Sequence, residues 1–490
     1  MAGDLVWTSD EFGHAANSKV QRYHQQDYLT FWAGEKLTES GQGVYYMLDS
    51  AYNVVRTVSA VGDGLYGDLH EFVITDDATA LISVYNRTHM DLTPTERTLV
   101  KDGYIIDGIF QEVDIASGEL VFQWRASDHL GYLMSYGGYV DNGPFDYFHI
   151  NSIDKDSHGN YLISLRHLHM IAYVKGSTGD VLWTLGGIAD DFQDISGGAA
   201  TNFKWQHDVR WVSEQQGIIS LFDNGVARHH YSDATHSEGR IIQLDFTKRT
   251  AELLRSFSSP QHIRSASQGS VQILPVTETN ADAHVFVGWG SSAAYSEFTG
   301  AGELLCETHF AASSLFYFER VKSYRAIKAP ATWTAEPESW DPSAQIQAER
   351  LYVSWNGATE VVWWTLQRRT VTPQRSKREV PEETDFVDVE VIAKDGFESF
   401  FDISALDHTY ATYRIAALDE DMDVLRYSNV VVPAHTNSRT YIIAAILFAS
   451  VSILVAFSVI KYHDVLHTAL VNAALTGGSN RYRKLRGSSG

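Results

Sequence analysis

The sequence predicts an all-β chain: a six-bladed β-propeller, then a fibronectin-III/Ig-like β-sandwich, then one C-terminal transmembrane helix. Three observations carry the prediction. A histidine-bearing phrase followed by an apolar strand recurs through the first half of the chain; turns with a glycine and an acidic residue recur between apolar strands; and one unbroken apolar run of bilayer length lies near the C-terminus.

The histidine phrases are Asp68-Leu69-His70-Glu71-Phe72, Phe148-His149-Ile150-Asn151-Ser152 and Gln206-His207-Asp208-Val209-Arg210. Each leads into a strand with a shared core: Leu81-Ile82-Ser83, Leu162-Ile163-Ser164 and Ile218-Ile219-Ser220. The turn phrase appears as Gly3-Asp4-Leu5-Val6-Trp7, Gly118-Glu119-Leu120-Val121, Gly179-Asp180-Val181-Leu182-Trp183 and Gly302-Glu303-Leu304-Leu305. Together these define five units, at 18–60, 68–125, 147–187, 205–259 and 269–310, whose length of about 40 to 60 residues is the period of four-stranded propeller blades. A half unit at Gly3–Trp7 joined to strands within Ser314–Lys328 is expected to complete a sixth blade, because closure removes unpaired strand edges. The propeller therefore spans 1–328.

Residues 329–346, with Trp340-Asp341-Pro342, read as a linker, and 347–433 as the sandwich, built from strand groups at 351–367, 386–404 and 409–432. Arg368 to Glu383 reads as a charged loop. Tyr441 to Ile460 is long and apolar enough to span a bilayer, and 461–490 is a basic tail. Lys461, Arg481, Arg483, Lys484 and Arg486 follow the span while only Arg439 closely precedes it, which predicts a cytosolic tail and lumenal or extracellular N-terminal domains. The sequon Asn86-Arg87-Thr88 fits that orientation. Met1 to Trp7 has neither the charged nor the apolar region of a signal peptide, so an upstream segment is expected to be missing.

Composition bounds the function. A net charge of −23 without a long basic stretch in the body argues against nucleic acid as a partner, since phosphate binding needs clustered Lys and Arg. Cys306 is the only cysteine, which excludes an internal disulfide or a thiolate metal site.

Equivalent inner positions of successive blades converge on the propeller axis. His70, His149 and His207 are therefore expected to face one ligand, joined by Arg166 of Arg166-His167, where the neighbouring units have Val84-Tyr85 and Leu221-Phe222. A guanidinium forks onto two oxygens of a tetrahedral anion, so three imidazoles and an arginine point to sulfate or phosphate chemistry.

In these phrases, with Leu162-Ile163-Ser164-Leu165-Arg166-His167, Trp183-Thr184-Leu185-Gly186-Gly187 and Ser220-Leu221-Phe222-Asp223-Asn224, the chain resembles the PAPS-independent arylsulfotransferase family, and more closely its fungal branch. The likeness spans most of residues 1–325. It implies a six-bladed propeller that moves a sulfuryl group from an aryl sulfate donor to a phenolic acceptor, with His207 as nucleophile, His70, His149 and Arg166 as supporting catalytic residues, and no cofactor or metal. Asp208 departs from the bacterial pattern, which tends to carry a small hydroxyl residue there, and so puts the orientation and charge of the His207 ring in question.

Other readings stand beside this one. Histidines at blade strands also serve as structural hydrogen-bonding groups, Asp223-Asn224-Gly225 reads as a turn, and Trp183, Trp205, Trp211 and Trp289 offer faces for stacking an aromatic substrate, although tryptophans in strands are mostly blade packing. Three histidines can hold zinc, but no carboxylate recurs at an equivalent inward position and Arg166 repels a cation. The functional alternatives are a non-catalytic membrane-anchored ectodomain that binds a glycan or protein, and a sulfate-ester hydrolase.

Overall fold

The computed structural model describes residues 4–37, 40–92, 102–137, 143–228, 230–274, 283–316, 320–330, 333–370, 386–408 and 411–433. Among them the fold is all-β apart from one-turn helices. Each of the five sequence units is an antiparallel meander of four strands. The first runs through Ala15–Tyr23, Gln26–Lys36, Gly41–Leu48 and Val54–Val58, and the second through Gly67–Ile74, Thr79–Asp91, Asp102–Asp114 and Leu120–Arg125. The third uses Ile150–Lys155, Tyr161–Leu165, Met170–Val174 and Val181–Gly186, and the fourth His207–Ser213, Ile218–Asp223, Glu238–Asp245 and Thr250–Phe257. Ser270–Ile273, His284–Gly288, Ala294–Thr299 and Leu304–His309 form the fifth.

Neighbouring meanders pack face to face, which is why the middle strands read as continuous apolar runs. Leu81, Phe110, Trp124, Phe148, Ile163 and Leu165 fill the layer between the second and third, and Leu162, Leu185, Val209, Ile219 and Ile242 that between the third and fourth. Fully burying such a side chain contributes about 1.5–3 kcal/mol. The histidine-bearing first strands lie against one another, the second beside the third and the third beside the fourth.

The expected sixth blade is not made of strands among the described residues. Asp4 to Trp7 runs instead between the first meander and the C-terminal sheets: Val6 accepts a hydrogen bond from the Gly357 N–H at 2.7 Å, and Trp7 stacks on Tyr52 of the first meander with centroids 4.9 Å apart. Beyond a short helix, Ser313–Phe316, residues 324–328 run beside Ser270–Ile273 held by side chains rather than a backbone ladder. Ser270 Oγ bonds to Ala326 O at 2.9 Å, and the Gln272 amide both donates to and accepts from Lys328. One backbone bond, from the Gly269 N–H to Tyr324 O at 3.1 Å, accompanies them.

Towards the C-terminus, Ser343–Gln347, Arg350–Ser354 and Glu398–Asp402 form one sheet, and Trp363–Thr370, Val387–Ala393, Ala411–Leu418 and Val424–Tyr427 another. The first of these strands begins inside the expected linker. The two sheets share a core that includes Leu351, Val353, Trp364, Phe401, Tyr413 and Ile415. The expected span at 441–460, its tail and part of the charged loop lie outside the described residues, among which no helix is long and apolar enough to cross a membrane.

Candidate active site

The three histidines sit on or beside the first strands of successive meanders. His207 opens its strand, His149 immediately precedes Ile150–Lys155, and His70 is the fourth residue of Gly67–Ile74. Gln206 fixes the approach to His207: its amide donates to Leu165 O at 3.2 Å and Met170 O at 2.9 Å, tying the fourth meander to the third.

All three rings are held in the same way, by an oxygen on Nδ1. His70 Nδ1 lies 2.5 Å from Asp68 Oδ1, His149 Nδ1 2.6 Å from Asp146 Oδ2, and His207 Nδ1 2.7 Å from Asn224 Oδ1. The Asn224 amide donates to Ser265 O and Gln268 O, which fixes its oxygen toward His207; Nδ1 is therefore the protonated nitrogen and Nε2 carries the lone pair. That lone pair accepts the Gln268 N–H at 3.2 Å. The rings of His70 and His149 meet edge to face with centroids 4.7 Å apart, and His149 lies 4.5 Å from His167.

Arg166 stands in the one-turn helix Arg166–Leu168, at the end of its strand. Its guanidinium donates to His167 Nε2 at 2.9 Å and to Ala266 O at 3.0 Å, and lies over the Trp205 ring at 5.3 Å. The positive charge acts on both His149 and His207. Burial, helped by that charge, drives His149 and His207 well below the usual histidine range, so both are neutral. Burial also raises the Asp146 carboxyl, whose Oδ1 has no hydrogen-bond partner among the described residues.

Several residues here have left-handed backbones that cost about 1–3 kcal/mol each outside glycine: His149 (φ 54°), His169 (φ 51°), Trp205 (φ 60°), Asp208 (φ 55°) and Gln268 (φ 66°). Their concentration around one cluster marks a place where packing overrides local preference.

Behind the histidines the axis is filled by charge. Glu71, fully buried, receives Arg325 Nη1 at 2.8 Å, Arg210 Nη2 at 2.5 Å and Lys19 Nζ at 3.4 Å. Burial alone would raise its carboxyl, but the three cations hold it far below the ordinary range. Asp208 belongs to this layer, 2.9 Å from Arg210 and 3.3 Å from Arg325, with Oδ2 on the Val271 N–H. The concern that Asp208 reorients the His207 ring is thus answered: its carboxylate is engaged elsewhere, and Asn224 does the orienting.

The structure brings His70, His149, Arg166 and His207 together, all between 2 and 7% exposed. Sequence reasoning missed the Nδ1 partners. Asn224 reads as a turn residue in the sequence, and Asp68 and Asp146 lie against the His70 and His149 rings from non-equivalent positions. An acidic residue two or three positions before His70 and His149 was the available signal. Asp146, His149 and His167 offer ligand atoms within 4.8 Å of one another. A cation fits poorly there, because Arg166 already donates to His167 Nε2, leaving Nδ1 as the protonated nitrogen bonded to Asp146 O at 2.6 Å. The residue set suits an anion better.

A cavity of about 440 Å³ lies beside the cluster, lined by Tyr136, His169, Lys204, Trp205, His230 and Tyr231 among others. Trp205, expected to be blade packing, is its inner wall.

The family model for arylsulfotransferases (ASST) matches residues 19–311. No curated protein matches the chain. Similar solved structures include a protein of unknown function from Bacteroides caccae, 12% identical over 59% of this chain and 81% of that one, with a TM-score of 0.34. The Dos1 propeller is 10% identical over 71% and 67%, with a TM-score of 0.28. A putative 6-phosphogluconolactonase from Bacteroides uniformis is 9% identical over 83% and 97%, with a TM-score of 0.32. Matched over more than half of its length, histidine phrases included, the chain belongs to the arylsulfotransferase family.

Proposed function

We propose that this protein moves a sulfuryl group from a phenolic sulfate ester to a phenol through a sulfohistidine on His207, a reaction that needs no nucleotide or metal. The observation that carries the reading is the contrast among the three Nδ1 partners, an amide for His207 and carboxylates for His70 and His149. An amide oxygen orients an imidazole while favouring its charged form less than a carboxylate does, which suits a nucleophile; a carboxylate stabilises an imidazolium more strongly, which suits proton transfer.

In the first step the His207 Nε2 lone pair, released from the Gln268 N–H, attacks sulfur. The bond from sulfur to the aryl oxygen breaks, and its electron pair leaves on that oxygen. His70 in its protonated form gives the phenolate its Nε2 proton while Asp68 holds Nδ1. Arg166 and His149 hold the peripheral sulfuryl oxygens, where charge resides in the loose transition state. The negative ester offsets the burial that keeps His149 neutral, so as the ester binds its Nε2 takes up a proton from solvent and donates that N–H to a sulfuryl oxygen. In the second step an acceptor phenol loses its proton to His70 and attacks sulfur, and the pair of the broken S–N bond returns to Nε2.

His70 is assigned the proton because Asp68, which holds its Nδ1, is itself fixed by three further donors, Gly41 N at 2.7 Å, His70 N at 3.0 Å and Ser83 Oγ at 3.3 Å. His149 faces the repelling charge of Arg166. The non-catalytic ectodomain reading draws on a different observation, the burial of all four groups and the occupied Nε2 of His207. In either case we propose a propeller-like ring built on the five meanders and a fibronectin-like stalk of the fungal type, anchored through residues 441–460.

The test is nitrophenolate release from nitrophenyl sulfate by the 490-residue chain, with and without a second phenol, beside His207→Ala. Phenol-dependent turnover that vanishes in the variant supports transfer, release without phenol indicates hydrolysis, and silence from folded protein supports the binding reading.

A further inference from the structure

The cavity outside the histidine cluster has features that blade packing does not require. Trp205 is held in a left-handed backbone conformation between two environments. On one side its indole lies 5.3 Å from the Arg166 guanidinium and 5.7 Å from the His167 ring. On the other it meets His169 and His230, each with ring centroids 4.5 Å away. Tyr136 stacks on His169 at 4.2 Å and only 6° from parallel, extending the aromatic wall outward. Tyr231 completes the rim with its side chain almost wholly in water, 95% exposed. Large aromatic rings are seldom left so fully solvated.

Three polar features lie within this aromatic frame. His169 is 7% exposed, and its Nε2 is buried with no hydrogen-bond partner among the described residues. Burial, with the Arg166 charge behind it, pushes that imidazole down to about 3, so it is neutral and has both a donor and an acceptor nitrogen. Buried polar atoms of native proteins are nearly always satisfied, and this unsatisfied nitrogen belongs to a residue that lines the cavity. The second feature is Lys204. Its ammonium pairs at 3.2 Å with Asp233, whose side chain is 76% exposed. Such a solvated pair is weak and exchanges readily for a better anion. The Asp190 carboxylate, also on the lining, accepts the Phe192 N–H at 3.0 Å.

We propose that this cavity is a binding subsite for an aromatic anion, a planar ring that carries a sulfonate, sulfate or carboxylate group. The ring lies against the Tyr136, His230 and Tyr231 faces, a polar atom of the ligand reaches His169 Nε2, and the anionic group exchanges Asp233 for Lys204. That such a ligand is the substrate or its distal ring rests on the proposed transfer reaction; the binding itself does not. Trp205 then couples the two places. It directly precedes Gln206-His207, so a ring pressing on the indole pushes on the segment that aims the nucleophile.

Calorimetric titration of the 490-residue chain with naphthalene-2-sulfonate tests the proposal. The carbon–sulfur bond of this probe cannot release a sulfuryl group, which separates binding from chemistry. One saturable site is expected, weakened by about tenfold in Tyr231→Ala and in Lys204→Gln, the loss of one stacking face or one cation contact, and unchanged in His207→Ala. Absence of saturable binding, affinities unaltered in both cavity variants whose melting is normal, or equally tight binding of a neutral methyl glycoside would overturn it. Probe binding without turnover of any aryl sulfate would sink the transfer reading and leave the subsite standing; turnover without probe binding would do the reverse.

Discussion

Replacing Asp68 with asparagine separates proton delivery from the other tasks assigned to the cluster. The carboxylate takes four donors, Gly41 N on Oδ2 and His70 N, His70 Nδ1 and Ser83 Oγ on Oδ1. Asparagine keeps the shape and one acceptor oxygen. Its NH₂ then faces the Gly41 N–H, and a buried donor left unmatched costs about 1–3 kcal/mol of stability, enough to lower the melting temperature without abolishing folding. The contact at 2.5 Å loses its charge assistance. A hydrogen bond to a charged group contributes roughly 1.5–3 kcal/mol, so protonated His70 becomes harder to form by that amount, a factor of about 10 to 150 in rate wherever the leaving oxygen needs a proton. Phenyl sulfate needs one, whereas nitrophenyl sulfate expels a stable phenolate and should lose less than about threefold. The assay is kcat/KM across a series of aryl sulfates graded by phenol acidity, on variant protein with a verified fold. An equal loss along the series would refute the assignment, and a graded loss in Asp146→Asn but not Asp68→Asn would move it to His149.

Asn224→Asp should raise the His207 imidazole from its depressed position by placing a negative charge on Nδ1; since only the neutral ring attacks sulfur, the acidic limb of the kcat/KM profile should move to higher pH, with a clear loss near about pH 6. An unmoved limb would argue that His207 is not the nucleophile. Glu71→Gln leaves Arg325, Arg210 and Lys19 in a buried layer with Asp208 and, beside Arg210, Asp154 as counter-charges, and should cost about 3–5 kcal/mol in urea unfolding; a change below about 1 kcal/mol would mean that water already screens this layer. In the wild type the depressed Glu71 carboxyl contributes stability above its unfolded value, lost as pH falls toward its folded one. Lys19, lowered from 10.5 to about 8, acts in the alkaline range: between those values the unfolded chain binds the extra proton, so this group's contribution to stability should rise with pH, and Lys19→Met should flatten that rise.

How much of this could be read beforehand depends on the range of the interaction. The meander edges and the convergence of His70, His149 and His207 follow from alternation and repetition, which are local. Arg166 was legible because it breaks the pattern set by Val84-Tyr85 and Leu221-Phe222 at the matching positions. The oxygens that hold the rings were harder to see. Asn224 lies in a phrase with strong turn chemistry, and only its bonds to Ser265 and Gln268, from another unit, reveal its other role. Asp208 was misjudged because adjacency in sequence is not adjacency of side chains when the backbone is left-handed. The missing sixth set of strands had no local signature, since side chains of Ser270 and Gln272 replace the ladder.

Arg325 binds Asn17 at 3.1 Å, Glu71 at 2.8 Å and Asn151 O at 2.8 Å, groups contributed by the first three meanders and separated from it by up to 308 residues. The order of synthesis therefore matters. The first meander leaves the ribosome early but waits for residue 325 before its axial face is complete, so the last fastening of the ring is a late, long-range event of the kind that slows folding and prolongs exposure of unpaired edges. A shortened chain cut to the matched limits of 19 and 311 would lack both Asn17 and Arg325, and would leave Glu71 with two of its three cations. For this protein the unit that folds extends past the unit that sequence comparison recognises, and its closing pin lies in the part left out.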